Sequence, residues 1–494
     1  MFLIGLTIIL TFFEYDKISK NNPKMVAVGE VLAISAAISE LRFGFAGFTG
    51  VNKILDSITD YSINSIDKGL NSKIYNSSKI EISPTDERHV VFGDVGLISF
   101  FKLAFIIWGY SLDSVVKLFF CVFIFSLVIY ILTYFNEIEK IELLLFFLVS
   151  HLIILMTTDI VGIELQLNSY RYYPVLAIIP ALHISLEIWE GRNLEKYSII
   201  PLVFQMVFLV FIIHVRSSTI YILPALLCIL LVRFFDSLMK KEKFGPVNFS
   251  RIITFSLVVF FLTATKLFVN GNLHSSYQHM LTSHHFWLSA FTGLSINPDA
   301  NSKYGMPYFS DPYCYELVKK RAEKDGYRFD IGDTISHAKN TNFEEKKELR
   351  FHSKKFESYM KDEYISIFKK DPWFVIKAYL VKLPEYFKVY YSFRGDPTIF
   401  NYLGAGSLFF HPYVLTFLLL YYIFYLPRNY SVKKYIFMLL ILFSFSLGPP
   451  VFLVPMSFLL ADSGLFLTAI LFYVISSFLE QSKLLNLSRK RLDP

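Results

Sequence analysis

Three acidic residues lie close together in the first polar segment of this 494-residue chain, just before a long apolar stretch. They are Asp86, Glu87 and Asp94. A carboxylate at the edge of an apolar environment is partly desolvated, and desolvation makes such a group a better general base. The pattern therefore indicates that these three acids are candidate catalytic residues. For any single acid, the more common interpretation is a solvated loop or a helix cap.

Cationic and aromatic side chains near these acids and in a later polar segment are suited to an anionic substrate. Arginine holds phosphate through two parallel hydrogen bonds, and protonated histidine pairs with it. The candidate substrate-binding residues are Arg88, His89, Lys102, Arg171, His284, His285 and Trp287, together with the acidic Asp311. Interfacial anchoring also explains the tyrosines around Arg171, but it explains the arginine itself less well.

Six of the eleven histidines fall between residues 274 and 352, and neutral imidazoles can bind a divalent metal. Their spacing does not favour that use. His279 and His284 are not four residues apart, and the adjacent His284 and His285 point to different faces of a helix. No zinc pattern fits. Substrate contact or plain surface is therefore the favoured interpretation; the sequence identifies no cofactor, with a divalent metal as the open alternative.

Long apolar runs with few charges must position these residues. Mean hydropathy is +0.46, and about 20 apolar residues suffice to cross a membrane. Clear runs predict spans at Ser114–Phe135, Ile141–Asp159, Pro174–Trp189, Ile199–Val215, Ile220–Phe235, Ile252–Val269, Leu403–Leu426, Tyr435–Val454 and Pro455–Leu479. One N-terminal span, at Met1–Tyr15 or Met25–Gly47, completes the set. The predicted fold is an all-α polytopic transmembrane protein with about ten spans and a mainly helical outer-side loop domain.

The net charge of +7 reflects basic clusters between apolar runs, which indicates membrane orientation rather than nucleic-acid binding. The clusters Lys240–Arg251, Arg428–Lys434 and Lys483–Arg491 fall on one side, which is then cytoplasmic, as are both termini. Lys17 to Lys24 fit this orientation poorly. The ionisable residues of the spans lie at or near span ends by these boundaries, which argues against ion-coupled transport. Lys-, Ile-, Asn- and Phe-rich composition suggests a bacterial inner membrane protein.

This topology divides the chain into four regions. They are an N-terminal span with a first outer segment (1–113), transmembrane helices (114–269), a large outer segment (270–398) and C-terminal helices with a cytoplasmic tail (399–494). Gly96–Tyr110 is expected to be a membrane-surface helix, since counting it as a span breaks the parity. In the large outer segment, the pattern predicts a charged helix at Glu344–Lys370. A second helix, Phe374–Tyr390, is expected along the membrane surface because of its lysines Lys377, Lys382 and Lys388.

The whole layout resembles the GT-C class of membrane glycosyltransferases, which have many spans, an acidic first outer loop with membrane-surface helices and a further large outer segment. The local match is Asp86-Glu-Arg-His89 through Asp94, in the position of the family's catalytic carboxylate. The resemblance implies a sugar donor linked to a polyprenyl phosphate, a glycan or lipid acceptor and no nucleotide or nucleic acid. It also implies that Asp94, Asp86 or Glu87 is the general base.

The same resemblance implies that Arg88, Arg171 and Lys102 stabilise the departing phosphate, while the aromatic, His-rich start of the large outer segment holds sugar. Fold does not fix function. The alternatives from other classes are a polymerase or ligase of surface polysaccharide, a non-enzymatic flippase of lipid or polysaccharide, and a scaffold whose outer segment binds a partner.

Overall fold

The structure is a computed structural model, and it describes residues 5–11, 13–14, 28–44, 94–110, 112–160, 173–191, 199–241, 245–271, 286–308, 310–329, 348–349, 354–386 and 430–445. Almost all of these residues are helical. The helices that we number are α1 Val28–Phe43, α2 Val95–Trp108, α3 Leu112–Tyr134, α4 Ile138–Ile160, α5 Ile178–Glu190, α6 Ile199–Val215, α7 Ile222–Met239, α8 Pro246–Gly271, α9 Phe286–Thr292, α10 Ala300–Tyr304, α11 Asp311–Lys324, α12 Lys354–Lys370, α13 Pro372–Tyr386 and α14 Tyr430–Ser444. Short 3-10 turns cover Tyr173–Ala177, Ser217–Tyr221 and Gly293–Ile296.

Helices α1 to α8 and α14 share one apolar core, which we call the bundle. Helix α5 lies at its centre, because every residue from Ile178 to Ile188 is buried. It packs against α6, α7 and α8. A helix that is apolar all round can be buried on every side, whereas an amphipathic one keeps a polar face in water.

Three helical segments of the bundle are long and apolar enough to cross a membrane: Ser114–Tyr134, Thr219–Met239 and Pro246–Phe268. They confirm three of the predicted spans as helices of the right length and composition. Their outward sides expose large apolar residues such as Leu132 and Phe260. Such surfaces suit lipid rather than water, and they support association with a membrane.

The described part of the chain contains fewer candidate spans than the ten or so that the sequence predicts. Helix α6 is apolar but has 17 residues, and the predicted span Pro174–Trp189 is divided between a 3-10 turn and α5. Leu403–Leu426 and Pro455–Leu479 lie outside the described residues. Of the two N-terminal alternatives, residues 5–11 and 13–14 are helical, and α1 covers most of Met25–Gly47. Gly96–Tyr110 is helical as expected, since α2 covers Val95–Trp108.

Helices α9 to α13 build a separate core within residues 286–386, which we call the second unit. It contains the strand pair Arg328–Phe329 and Glu348–Leu349, which is parallel. The prediction of one helix over Glu344–Lys370 is therefore wrong at its start, because α12 begins only at Lys354. Pairing with a distant strand outweighs the local helix preference of the charged run.

Helix α13 confirms the predicted helix after Asp371, but not the predicted position of one of its lysines. Lys382, expected at the surface, is fully buried, with its ammonium nitrogen 5.1 Å from the centre of the Tyr379 ring. Its long aliphatic stem allows this burial, since lysine often packs as an apolar residue. Burial lowers the pKa of Lys382 to about 7. Lys377 is partly exposed, and Lys388 lies outside the described residues.

Candidate functional site

Asp94 lies immediately before α2 and is buried at one end of the bundle. Its Oδ2 atom accepts a hydrogen bond from Nη1 of Arg216 at 2.8 Å. Its Oδ1 atom accepts from the backbone N–H of Ser217, also at 2.8 Å. Both oxygens are thus oriented by residues that directly follow α6, and the charges of the carboxylate and guanidinium neutralise each other locally.

A close approach of two helices brings Asp94 to this position. A Cβ atom at Gly96 would lie 2.3 Å from the backbone carbonyl carbon of His214, which is far inside van der Waals contact. Only glycine therefore allows the start of α2 to meet the end of α6. His214 itself is held by a 3.2 Å hydrogen-bond contact between its Nε2 atom and the carbonyl of Leu262 in α8. The site is built on rigid helix ends rather than on a free loop.

Lys102 was predicted to bind a phosphate beside these acids. The structure places it two turns along α2, where its ammonium forms an ion pair with Glu40 of α1. The Glu40 side chain is 5% exposed, and the Lys102 side chain is 30% exposed. In this arrangement Lys102 joins two helices of the bundle, and among the described residues the cation that contacts Asp94 is Arg216.

The other predicted residues fall in two groups. Asp86, Glu87, Arg88, His89, Arg171, His284 and His285 lie outside the described residues. Trp287 and Asp311 belong to the second unit. The Trp287 ring lies 5.6 Å from the Tyr364 ring, and its backbone N–H donates to Glu357 at 2.8 Å. Asp311 is the first residue of α11.

Sequence reasoning missed Arg216, although a signal was present. The two spans on either side leave only residues 216–219 between them, and Arg216 is the one charged residue of that short connection. The predicted topology puts Arg216 on the outer side, where arginine is uncommon, as it does Arg171. The partner of Asp94 is more than 120 residues away, so no local pattern linked the two.

A second buried polar group was also missed, and it lies where α3 and α5 pack together. Tyr134 at the end of α3 donates to Glu187 of α5 at 2.7 Å. The His183 ring packs 5.0 Å from the Tyr134 ring. His183 is fully buried, and its Nδ1 atom has no hydrogen-bond partner. Lys140 pairs with Glu190 at the edge of this group.

His183 corrects the expectation that ionisable residues lie only near the ends of spans. It occupies the middle of the helical segment that runs from Tyr173 to Glu190. Burying an imidazole nitrogen without a hydrogen bond costs free energy, so this position is not explained by stability alone.

Within the described residues, no three His, Cys, Asp or Glu side chains come close enough together to hold a metal ion. The Asp94 group offers one carboxylate, and a guanidinium already occupies it, so this part of the site does not have the donors of a cation site. Comparison with known protein families, with curated proteins and with solved structures finds no match to this chain.

Proposed function

We propose that this protein is a membrane glycosyltransferase that moves a sugar from a polyprenyl-phosphate donor to a glycan or lipid acceptor on the outer side of the membrane. The observation that carries the proposal is the buried group of Asp94, Arg216 and Ser217. It combines a carboxylate, which can accept a proton, with a guanidinium, which can hold a phosphate. Asp86 and Glu87 remain further candidates for the base.

In the proposed reaction, Asp94 accepts the proton of the acceptor hydroxyl. The hydroxyl oxygen attacks the anomeric carbon, a new glycosidic bond forms, and the bond to the phosphate oxygen breaks with inversion. The electron pair leaves with the lipid phosphate, whose charge the Arg216 guanidinium stabilises. Arg216 must therefore exchange part of its contact with Asp94 for the phosphate when the donor binds, while the Ser217 N–H keeps the carboxylate oriented.

We further propose a topology of about ten alternating spans with both termini in the cytoplasm, and contacts between helix ends agree with the side on which it groups the connections. Lys434 donates to Glu139 at 2.9 Å, and Arg251 donates to the carbonyl groups that end α5. The proposed topology puts all of these residues on the cytoplasmic side. Asp94 and Arg216 belong to its outer side, and they meet at the other end of α6. A bacterial inner membrane would place that side in the periplasm.

The decisive experiment deletes the gene in its native host and restores it with wild type, Asp94→Asn or Arg216→Lys. Surface glycans and lipid-linked intermediates are then profiled by mass spectrometry. We expect the deletion to lack one sugar, and both variants to fail to restore it while reaching the membrane at normal levels. A full glycan with Asp94→Asn would remove Asp94 from the mechanism. Glycans of correct composition but altered length or attachment would favour a polymerase or ligase.

The buried His183 group favours a second candidate, a flippase of lipid or polysaccharide that is coupled to proton movement. Ionisable side chains inside a membrane bundle are expensive and commonly serve ion pathways. His183 and Glu187 lie four residues apart on α5, and both contact Tyr134. In the same host, His183→Phe and Glu187→Gln would then block export and leave completed lipid-linked glycans in the inner leaflet. Normal export with both variants would argue against this function.

A further inference from the structure

Helix α13 carries apolar side chains on the side that faces away from the core of the second unit. Trp373, Ile376 and Leu380 are 65%, 42% and 54% exposed, whereas Phe374 and Val375 are buried. At 3.6 residues per turn, the three exposed residues fall within an arc of roughly 60°. They form one continuous stripe, which we call the α13 stripe.

The neighbouring helix α12 differs from α13 along most of its length. Its exposed side is mainly polar, with Lys355, Ser358, Lys361, Asp362 and Lys369, and the large apolar residue that it exposes, Phe368, lies next to the start of α13. A helix in water keeps such residues outward and its apolar residues inward. Helix α13 instead has apolar residues on both sides, which indicates that its outer side is covered by something apolar.

Contacts on its inner side fix the direction of the stripe. The side-chain amide of Asn297 donates to the carbonyl of Phe374 at 2.8 Å, and the Phe374 ring lies 4.8 Å from the Tyr304 ring. Lys377, at one edge of the stripe, forms a 2.7 Å ion pair with Asp299. These contacts hold α13 on the rest of the unit, so the stripe cannot turn inward without breaking them.

We propose that the α13 stripe lies in the interface of the same membrane that the bundle crosses. The candidate span Pro246–Phe268 is followed by residues 269–285 and then by the second unit. This connection tethers the unit to the bilayer within an extended length of roughly 60 Å. The stripe contains a tryptophan, the residue type most suited to the membrane–water interface. Lys369 and Lys370 are exposed just before α13, in position to attract anionic headgroups.

This proposal keeps the expected location of α13 but changes the residues responsible. Lysines were expected to attach the helix, yet Lys382 is buried and Lys377 is paired with Asp299. The attachment is instead apolar, and its depth would be about 5–10 Å below the headgroups. The proposal holds whether or not the protein transfers sugar, because it depends only on the second unit and the bilayer.

The first test uses the full chain in nanodiscs whose lipids carry bromine at defined acyl positions, because bromine quenches nearby tryptophan fluorescence. The chain has four tryptophans, so the contribution of Trp373 is the difference between wild type and Trp373→Phe. We expect at least twofold quenching of that contribution by bromine near the headgroups and less by deep bromine. The matched control is Trp287→Phe, because the Trp287 ring packs within the unit. An unquenched Trp373 would overturn the proposal.

The second test places spin labels at Ile376→Cys and, as a control on the polar side of α12, at Ser358→Cys. Cys121 and Cys228 are replaced by serine in both. At position 376 we expect high collision with oxygen and low collision with a water-soluble nickel chelate; at 358 we expect the reverse. High collision with both reagents at 376 would mean that the stripe faces water. Low collision with both would mean that protein covers it, either another segment or a second copy. Either result overturns the proposal.

Discussion

Replacing Arg216 with Gln removes the cation that faces a buried carboxylate. The Asp94 side chain is 5% exposed and that of Arg216 12%, so water cannot take over the lost interaction easily. Removing one partner of a buried ion pair costs about 3–5 kcal/mol, because the other charge stays buried without compensation. Asp94→Asn should cost a similar amount, because the Arg216 guanidinium then stays buried without its counter-charge, although the amide oxygen can still accept the N–H of Ser217.

The double variant separates stability from activity. Asp94→Asn with Arg216→Gln leaves no unpaired carboxylate at position 94, so we expect it to recover about 1–3 kcal/mol relative to Arg216→Gln alone. Denaturant unfolding of purified protein in bicelles, followed by tryptophan fluorescence, measures all four free energies of unfolding. Glycan transfer should stay lost in the double variant, although its stability is restored. A cost below about 0.5 kcal/mol for Arg216→Gln would mean that the pair behaves like a solvated surface pair, and the reasoning would be wrong.

Three further predictions concern the packing of the helices and the second unit. Gly96→Ala should destabilise the bundle by about 2 kcal/mol or more, because its methyl group would meet the His214 backbone. The thermal unfolding midpoint measures this loss of stability. The control is Gly5→Ala, since a Cβ atom at Gly5 meets nothing within 4 Å. Because the pKa of Lys382 is lowered to about 7 in the folded state, unfolding the second unit should become harder as pH rises from about 7 to 10. Lys382→Met should remove that dependence and stabilise the protein at pH 6, and an unchanged pH profile would contradict the burial. Glu357→Gln should cost about 1–2 kcal/mol by weakening the cap on the Trp287 N–H, detectable by hydrogen exchange at α9.

The positions of the apolar helices could be predicted from the sequence because long apolar runs are a strong local signal. Ser114–Phe135 agrees with α3 to within two residues, and Ile252–Val269 lies within α8, which begins six residues earlier. The central place of α5 could not be predicted in the same way. Its neighbours expose one side to lipid, and apolar runs facing lipid and apolar runs facing protein have similar composition. The strand at Glu348–Leu349 depends on a distant partner, so the local charged pattern predicted a helix there.

The candidate site shows the same division between local and distant information. Asp94 was predicted because an acid precedes an apolar run, which is a local pattern. Its partner Arg216 depends on the packing of α2 against α6, which in turn requires Gly96 at the contact. Lys102 was grouped with the acids by closeness in sequence, but two helical turns carry its side chain to Glu40. Closeness in sequence therefore gave no indication of the contact between Asp94 and Arg216 or of the contact between Lys102 and Glu40.

The two buried polar groups of the bundle differ in a way that bears on function. In the Asp94 group, the two charges neutralise each other and both carboxylate oxygens accept hydrogen bonds. Such a group can be wholly structural, so only a variant that restores stability without activity distinguishes its roles. In the second group, the Nδ1 atom of His183 has no hydrogen-bond partner, and packing alone would favour an apolar ring there. If His183→Phe is more stable than wild type and fully functional, the histidine has no role. If the variant is more stable but inactive, the buried group of Tyr134, His183 and Glu187 serves the function of the protein.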